Sequence, residues 1–153
     1  MDALLVANMM LLLLFASMYL GTGWSLILFS FPIADQLTVD NYALQFNQQV
    51  ASATRFFTYM TTAMLVSAAV MIATQVPSLY VVLPIIVIAS VALVTALTVV
   101  KIFPLNRAMA AGITDPNVLA ATLREWIRLN WVRVGFWTVE WICAALALGL
   151  RIR

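Results

Sequence analysis

The chain has 153 residues, 65% of them hydrophobic and only 9% charged, with a formal net charge of +2 and a mean hydropathy of +1.04. A soluble domain carries about 25% charged residues, so this composition excludes a soluble enzyme, a disordered chain and a nucleic-acid binder. A charge of +2 from so few groups implies no polyanionic partner.

From Ala3 to Ala34 there is no charged side chain, and a first span is predicted over about 3–31, longer than the about 20 apolar residues a membrane crossing needs. A cleavable signal peptide would have a basic start and a short apolar core. Asp2 and the length of the run predict a retained helix instead. Ser17, Gly21 and Ser25 repeat at four-residue spacing, which in lipid lets helix backbones approach closely. The functional reading of the same stretch is a hinge at Gly21-Thr22-Gly23. Phe31-Pro32 is expected to end the span.

In Thr38-Val39-Asp40-Asn41, Asp40 is expected to cap an amphipathic extension over about 41–52, through Gln45, Asn47, Gln48 and Gln49, leading into a second span at about 53–74. From Phe56 to Val100 there is again no charge, and Gln75-Val76-Pro77-Ser78 divides that run, giving a third span at about 81–103. Phe103-Pro104-Leu105 is expected to close it. Asp115 with Pro116 then caps a second extension at about 117–127, continuing into a fourth span at about 128–150. Each extension and span together would make a helix roughly 50 Å long, against a hydrocarbon core of about 30 Å. The predicted fold is one all-α domain, an integral membrane four-helix bundle. Its two hairpins share their punctuation and are read as an internal duplication about an axis along the membrane normal, although any two helical hairpins share part of that pattern.

Both hairpins make their internal connection on one membrane face. That face carries Arg55, Lys101, Arg107, Arg124 and Arg128, with Arg133 just inside, while the other carries Arg151, Arg153 and the amino terminus. The excess of basic residues places the two connections in the cytoplasm, and the expected location is a bacterial inner membrane.

A central charge in a span costs about 2.5–3.5 kcal/mol on insertion scales, so Arg133 and Glu140 need an explanation. They share a helix face about 10 Å apart, and Asn130 and Trp137 complete the stripe. Arg55 from the second span and Asn106 from the end of the third would meet it. Arg133 with Arg55 and Asn106 suits a carboxylate, phenolate or quinone oxygen, and Trp137 and Trp141 would wall an aromatic ligand. The structural alternatives are snorkelling of the end-of-span cations to lipid headgroups, an interfacial belt for Trp126 and Trp131, and pairing of Glu140 with Arg133 or Arg55. An unpaired Glu140 should be protonated.

The sequence has no histidine, which removes imidazole haem ligation, histidine-based zinc or di-iron sites and Ser-His-Asp catalysis. Its single cysteine, Cys143, lies in an apolar run and makes no disulfide framework. Glu140 is the only acid within a span, short of the two carboxylates a dinuclear metal site needs. No cofactor-binding motif is present.

The run Phe103-Pro104-Leu105-Asn106-Arg107, followed by Trp126, Asn130 and Arg133, resembles the anthrone-oxygenase-like family of small four-helix membrane proteins. The likeness extends through Phe31-Pro32 and Arg55-Phe56-Phe57. It implies cofactor-free oxygenation of a lipophilic phenolic substrate, with Glu140 as the base and Arg133 or Asn106 stabilising the oxyanion. The residues and the resemblance together leave two readings of similar weight. One is an accessory subunit or a lipid- or quinone-binding bundle, whose partners are membrane lipid, a lipophilic aromatic ligand and other membrane subunits. The other is the oxygenase. A transporter fits less well, because the spans hold one mid-membrane acid.

Overall fold

In the computed structural model the described residues are 3–75 and 79–152, with the side chains at 44–52, 75, 79 and 152 outside that set. The chain begins with α1 (Ala3–Ser25), which widens into a five-residue π-turn (Leu26–Ser30) and tightens into a 3-10 segment (Phe31–Gln36). Next come α2 (Tyr42–Gln75), a short 3-10 turn (Leu79–Val81) and α3 (Val82–Leu97). A second π-turn (Thr98–Ile102), α4 (Phe103–Ala111) and α5 (Pro116–Ile152) complete it. There is no strand among the described residues. Four stretches, Ala3–Gln36, Ala53–Thr74, Val82–Ala111 and Pro116–Arg151, are long and apolar enough to cross a membrane. The fold is an all-α integral membrane four-helix bundle.

Each of α2 and α5 packs against both α1 and α3. The bundle is therefore square in section, with α1 and α3 on one diagonal and α2 and α5 on the other. Apolar side chains such as Leu14, Phe29, Tyr59, Leu93, Val100 and Leu146 face outward, as lipid contact requires. The expected Gln75–Ser78 turn and the polar pattern at Gln45, Asn47, Gln48 and Gln49 lie outside the described residues or side chains. The backbone of α2 does run unbroken through its extension, as does that of α5.

The two Phe-Pro elements do not end helical winding as expected. Phe31 donates its N–H to the carbonyl of Leu26, and Phe103 donates to that of Thr98, in each case five residues back. An α-turn would clash each proline ring with the carbonyl four residues earlier and ask it for an N–H it lacks. The wider turn ahead of each proline relieves both problems, and winding resumes with proline near the new start.

The helix starts also differ from one another. Asp115 Oδ1 accepts the N–H of Asn117 at 2.8 Å, with Pro116 in the first helical position, as the sequence indicates. At α2 the side-chain bond comes from Asn41, not Asp40: its Oδ1 accepts the N–H of Thr38 at 2.8 Å.

Helix packing uses a different face of α1 from the one expected. Ser17, Gly21 and Ser25 are exposed, while Ala16, Tyr19 and Gly23 are buried. A Cβ added at Gly23 would lie 2.7 Å from Val134 and 2.8 Å from Trp137, whereas one at Gly21 would meet nothing within 4 Å. Close approach of α1 to α5 therefore depends on Gly23. Elsewhere the interior is filled by Met9, Leu12, Met64, Ala68, Met71 and Val87, all at most 1% exposed. A second cluster around Tyr42, Ile102, Met109 and Leu123 covers the end where the hairpin connections lie. There the Tyr42 hydroxyl donates to Met109 O at 3.0 Å and accepts the N–H of Ile113, tying α2 to the chain after α4.

Candidate ligand cavity at one end of the bundle

Below that second cluster all four spans leave a cavity of about 490 Å³, within the range typical of small-molecule sites. The buried stripe of α5 forms one wall. Trp126 Nε1 donates to Asn106 Oδ1 at 3.0 Å, which joins α5 to α4. Asn130 Nδ2 donates to the Trp126 carbonyl at 2.8 Å, leaving its Oδ1 to accept from Arg133 Nη1 at 2.9 Å. The Arg133 guanidinium lies over the Trp137 ring, 4.6 Å from its centroid, a favourable cation–π placement. Trp137 in turn packs on Tyr19 at 5.1 Å between centroids and stacks on Phe57 at 6.4 Å.

Asn106, Asn130, Arg133 and Trp137 are thus brought together on the cavity wall. Arg133 remains incompletely satisfied: its Nε is buried without a hydrogen-bond partner. Among the described residues no carboxylate lines the cavity. The salt bridge recorded among the described residues, Arg128 with Glu125 at 2.7 Å, is on the exposed face of α5. An unpaired interior cation is costly, which makes Arg133 the candidate binding residue of the cavity.

Three expected members are elsewhere. Arg55 is exposed and absent from the lining, because the neighbouring Thr54, Phe57 and Thr58 hold the inward face of α2. Glu140 is 1% exposed, one turn beyond Trp137 along α5, and does not line the cavity. Its Oε1 has no hydrogen-bond partner, so the anticipated pairing with Arg133 or Arg55 is not made. Trp141 likewise faces away, donating to Ser17 Oγ at 3.0 Å on the outer surface.

The residues that sequence reasoning missed are hydroxylic. Tyr19 on α1 donates to the Phe57 carbonyl at 2.8 Å and lies 2.6 Å from Thr61 Oγ1. Thr54, Thr58, Thr61 and Thr62 line the cavity from α2, Thr95 from α3 and Thr98 from the second π-turn. The helical spacing of the α2 set was a readable signal. Leu26, Val94, Val99 and Ile102 complete apolar walls. Among the described residues no three His, Cys, Asp or Glu side chains converge as metal ligands would. The chain was compared with family models, with curated proteins and with solved structures, and none of them matches it.

Proposed function

We propose that this protein is a membrane-embedded binding bundle whose end cavity holds a lipophilic ligand through a hydrogen-bond-accepting oxygen. The observation that carries this reading is Arg133, the cation on the wall of a cavity otherwise lined by apolar, hydroxyl and amide groups, with Nε unpartnered. Membrane lipid and quinone are the ligand classes that meet the requirement, and such a bundle suits an accessory subunit of a larger membrane complex. By the distribution of Lys101, Arg107, Arg124 and Arg128, the hairpin connections face the cytoplasm of a bacterial inner membrane.

The test is a titration of nanodisc-embedded protein with a decyl-tailed benzoquinone and with phosphatidylglycerol, read by tryptophan fluorescence and native mass spectrometry. At least one probe should bind, and Arg133→Gln should weaken it about tenfold or more, as loss of a charged hydrogen bond predicts. Binding of neither probe, or binding indifferent to Arg133→Gln, overturns the reading.

One observation favours a second reading, the cofactor-free oxygenation implied by the family resemblance. Glu140 is buried with an unpartnered oxygen one turn beyond Trp137, and a base is what that chemistry requires. It stands second because Glu140 is not on the cavity wall. Dioxygen-dependent turnover of an added anthrone, abolished by Glu140→Gln with ligand binding intact, would promote it. Absence of turnover in the wild-type protein would remove it.

A further inference from the structure

The cavity has a direction. Its residues on α5 and α1 are buried or half-buried, whereas Thr58 and Thr62 of α2, Thr95 of α3 and Val99 of the π-turn that follows α3 are exposed while lining it. It therefore opens between α2 and α3. These positions lie far from the end at which the two helices are joined, since α2 finishes at Gln75 and α3 starts at Val82. They also fall within two of the apolar spans, so the mouth faces lipid.

The wall also has a polarity. Thr58 donates to the Thr54 carbonyl at 2.8 Å, Thr62 to the Thr58 carbonyl at 3.0 Å, and Thr98 to the Val94 carbonyl at 2.7 Å. Tyr19 gives its proton to Phe57 O, so Thr61 must give its own to Tyr19. A hydroxyl has one proton and two lone pairs; with their protons committed, Thr58, Thr61, Thr62 and Thr98 present only acceptor lone pairs towards a ligand. Arg133, on the other side, offers donors only and carries an uncompensated charge.

We propose that the cavity admits, laterally from the bilayer between α2 and α3, an anionic amphiphile whose head carries hydroxyl groups, its oxyanion on Arg133 and its hydroxyls on the threonine wall. This deepens the binding reading above and rests on it. A phosphoglycerol lipid and a carboxylated hydroquinone share that chemistry.

Two matched pairs of probes separate the sources. Phosphatidylglycerol is compared with phosphatidylmethanol, which keeps the charge and lacks the hydroxyls. A decyl-tailed dihydroxybenzoate is compared with its dimethoxy analogue, which likewise keeps the carboxylate and lacks the hydroxyls. In at least one pair the hydroxylated member should bind about fivefold more tightly, the worth of one net hydrogen bond, and the pair that shows it identifies the source. The double variant Thr58→Val/Thr62→Val should erase the preference; a preference that survives it overturns the role of the threonine wall. If neither pair shows a preference while Arg133→Gln still weakens binding, the hydroxyl requirement is overturned and the binding reading stands. If Arg133→Gln changes nothing, both fall. For the portal, a spin label at Thr95→Cys in a Cys143→Ala background should collide more with dissolved oxygen than with an aqueous nickel chelate; the reverse overturns lateral access.

Discussion

The two halves of the bundle interior are built from different side chains. Towards the α2–α3 connection the spans meet through Met9, Leu12, Met71 and Val87, each at most 1% exposed. Towards the hairpin connections the facing positions hold Thr58, Thr61, Thr95 and Thr98, and both π-turns lie there, contributing Leu26, Thr98 and Ile102 to the wall. Methionine adapts its shape to fill gaps, whereas a threonine bonded to its own helix is short and leaves space. The contrast teaches that the hollow is not a general looseness of a small bundle. It is confined to the level at which side-chain volume falls and two helices are locally unwound.

Substitutions can break that contrast. The largest effect is expected at Leu12→Ala in the filled half, a loss of about 2–5 kcal/mol, measured by unfolding in mixed micelles. A value near zero would mean the filled half is not tightly packed. Arg133→Gln should lower ligand affinity by about 1.5–3 kcal/mol and leave fold stability unchanged or raised, since it removes an unpaired interior charge. A marked loss of stability would assign Arg133 to structure. Gly23→Ala should cost about 1–3 kcal/mol by overpacking, because Val134 and Trp137 lie within 2.8 Å of the new Cβ. Gly21→Ala on the exposed face should be neutral or stabilise by a few tenths to about 1 kcal/mol. Removal of the α5 cap in Asp115→Ala should cost about 1 kcal/mol. The smallest effect, within about 0.5 kcal/mol, is expected for Thr58→Val, whose hydroxyl bonds only to its own helix; the same change should be felt in ligand selectivity instead.

Much of this was legible in the sequence where a single helix carries the pattern. Asn130, Arg133, Trp137 and Glu140 are spaced so that any α-helix puts them on one face, and the structure buries three of them almost completely, with Arg133 partly exposed. The charge gaps gave the spans because charge is excluded from hydrocarbon whatever the packing. Assignments that depend on which face meets which neighbour were less secure. The small residues of α1 fall on two faces, and only packing reveals that Gly23, not Gly21, touches α5. Arg55 is one residue away from the inward face of α2, a displacement of about 100°. The π-turns compound this, since each extra residue in a turn rotates every later side chain relative to α-helical periodicity. Asn106 lies beyond such a turn, and its proximity to Trp126 follows from geometry that hydrophobic spacing does not encode.

The Tyr42 hydroxyl has a consequence in time as well as space. Its two partners, Met109 and Ile113, are made 67 and 71 residues after it, so the first hairpin can be complete in the membrane while this tyrosine is still waiting for them. The same chain segment delivers Ile102, Phe103 and Asn106 to the cavity. Arrival of the second hairpin therefore satisfies the phenol and roofs the cavity in one event. Tyr42→Phe should slow that last assembly step, visible as longer protease sensitivity of newly inserted chains, with the spans themselves already in place.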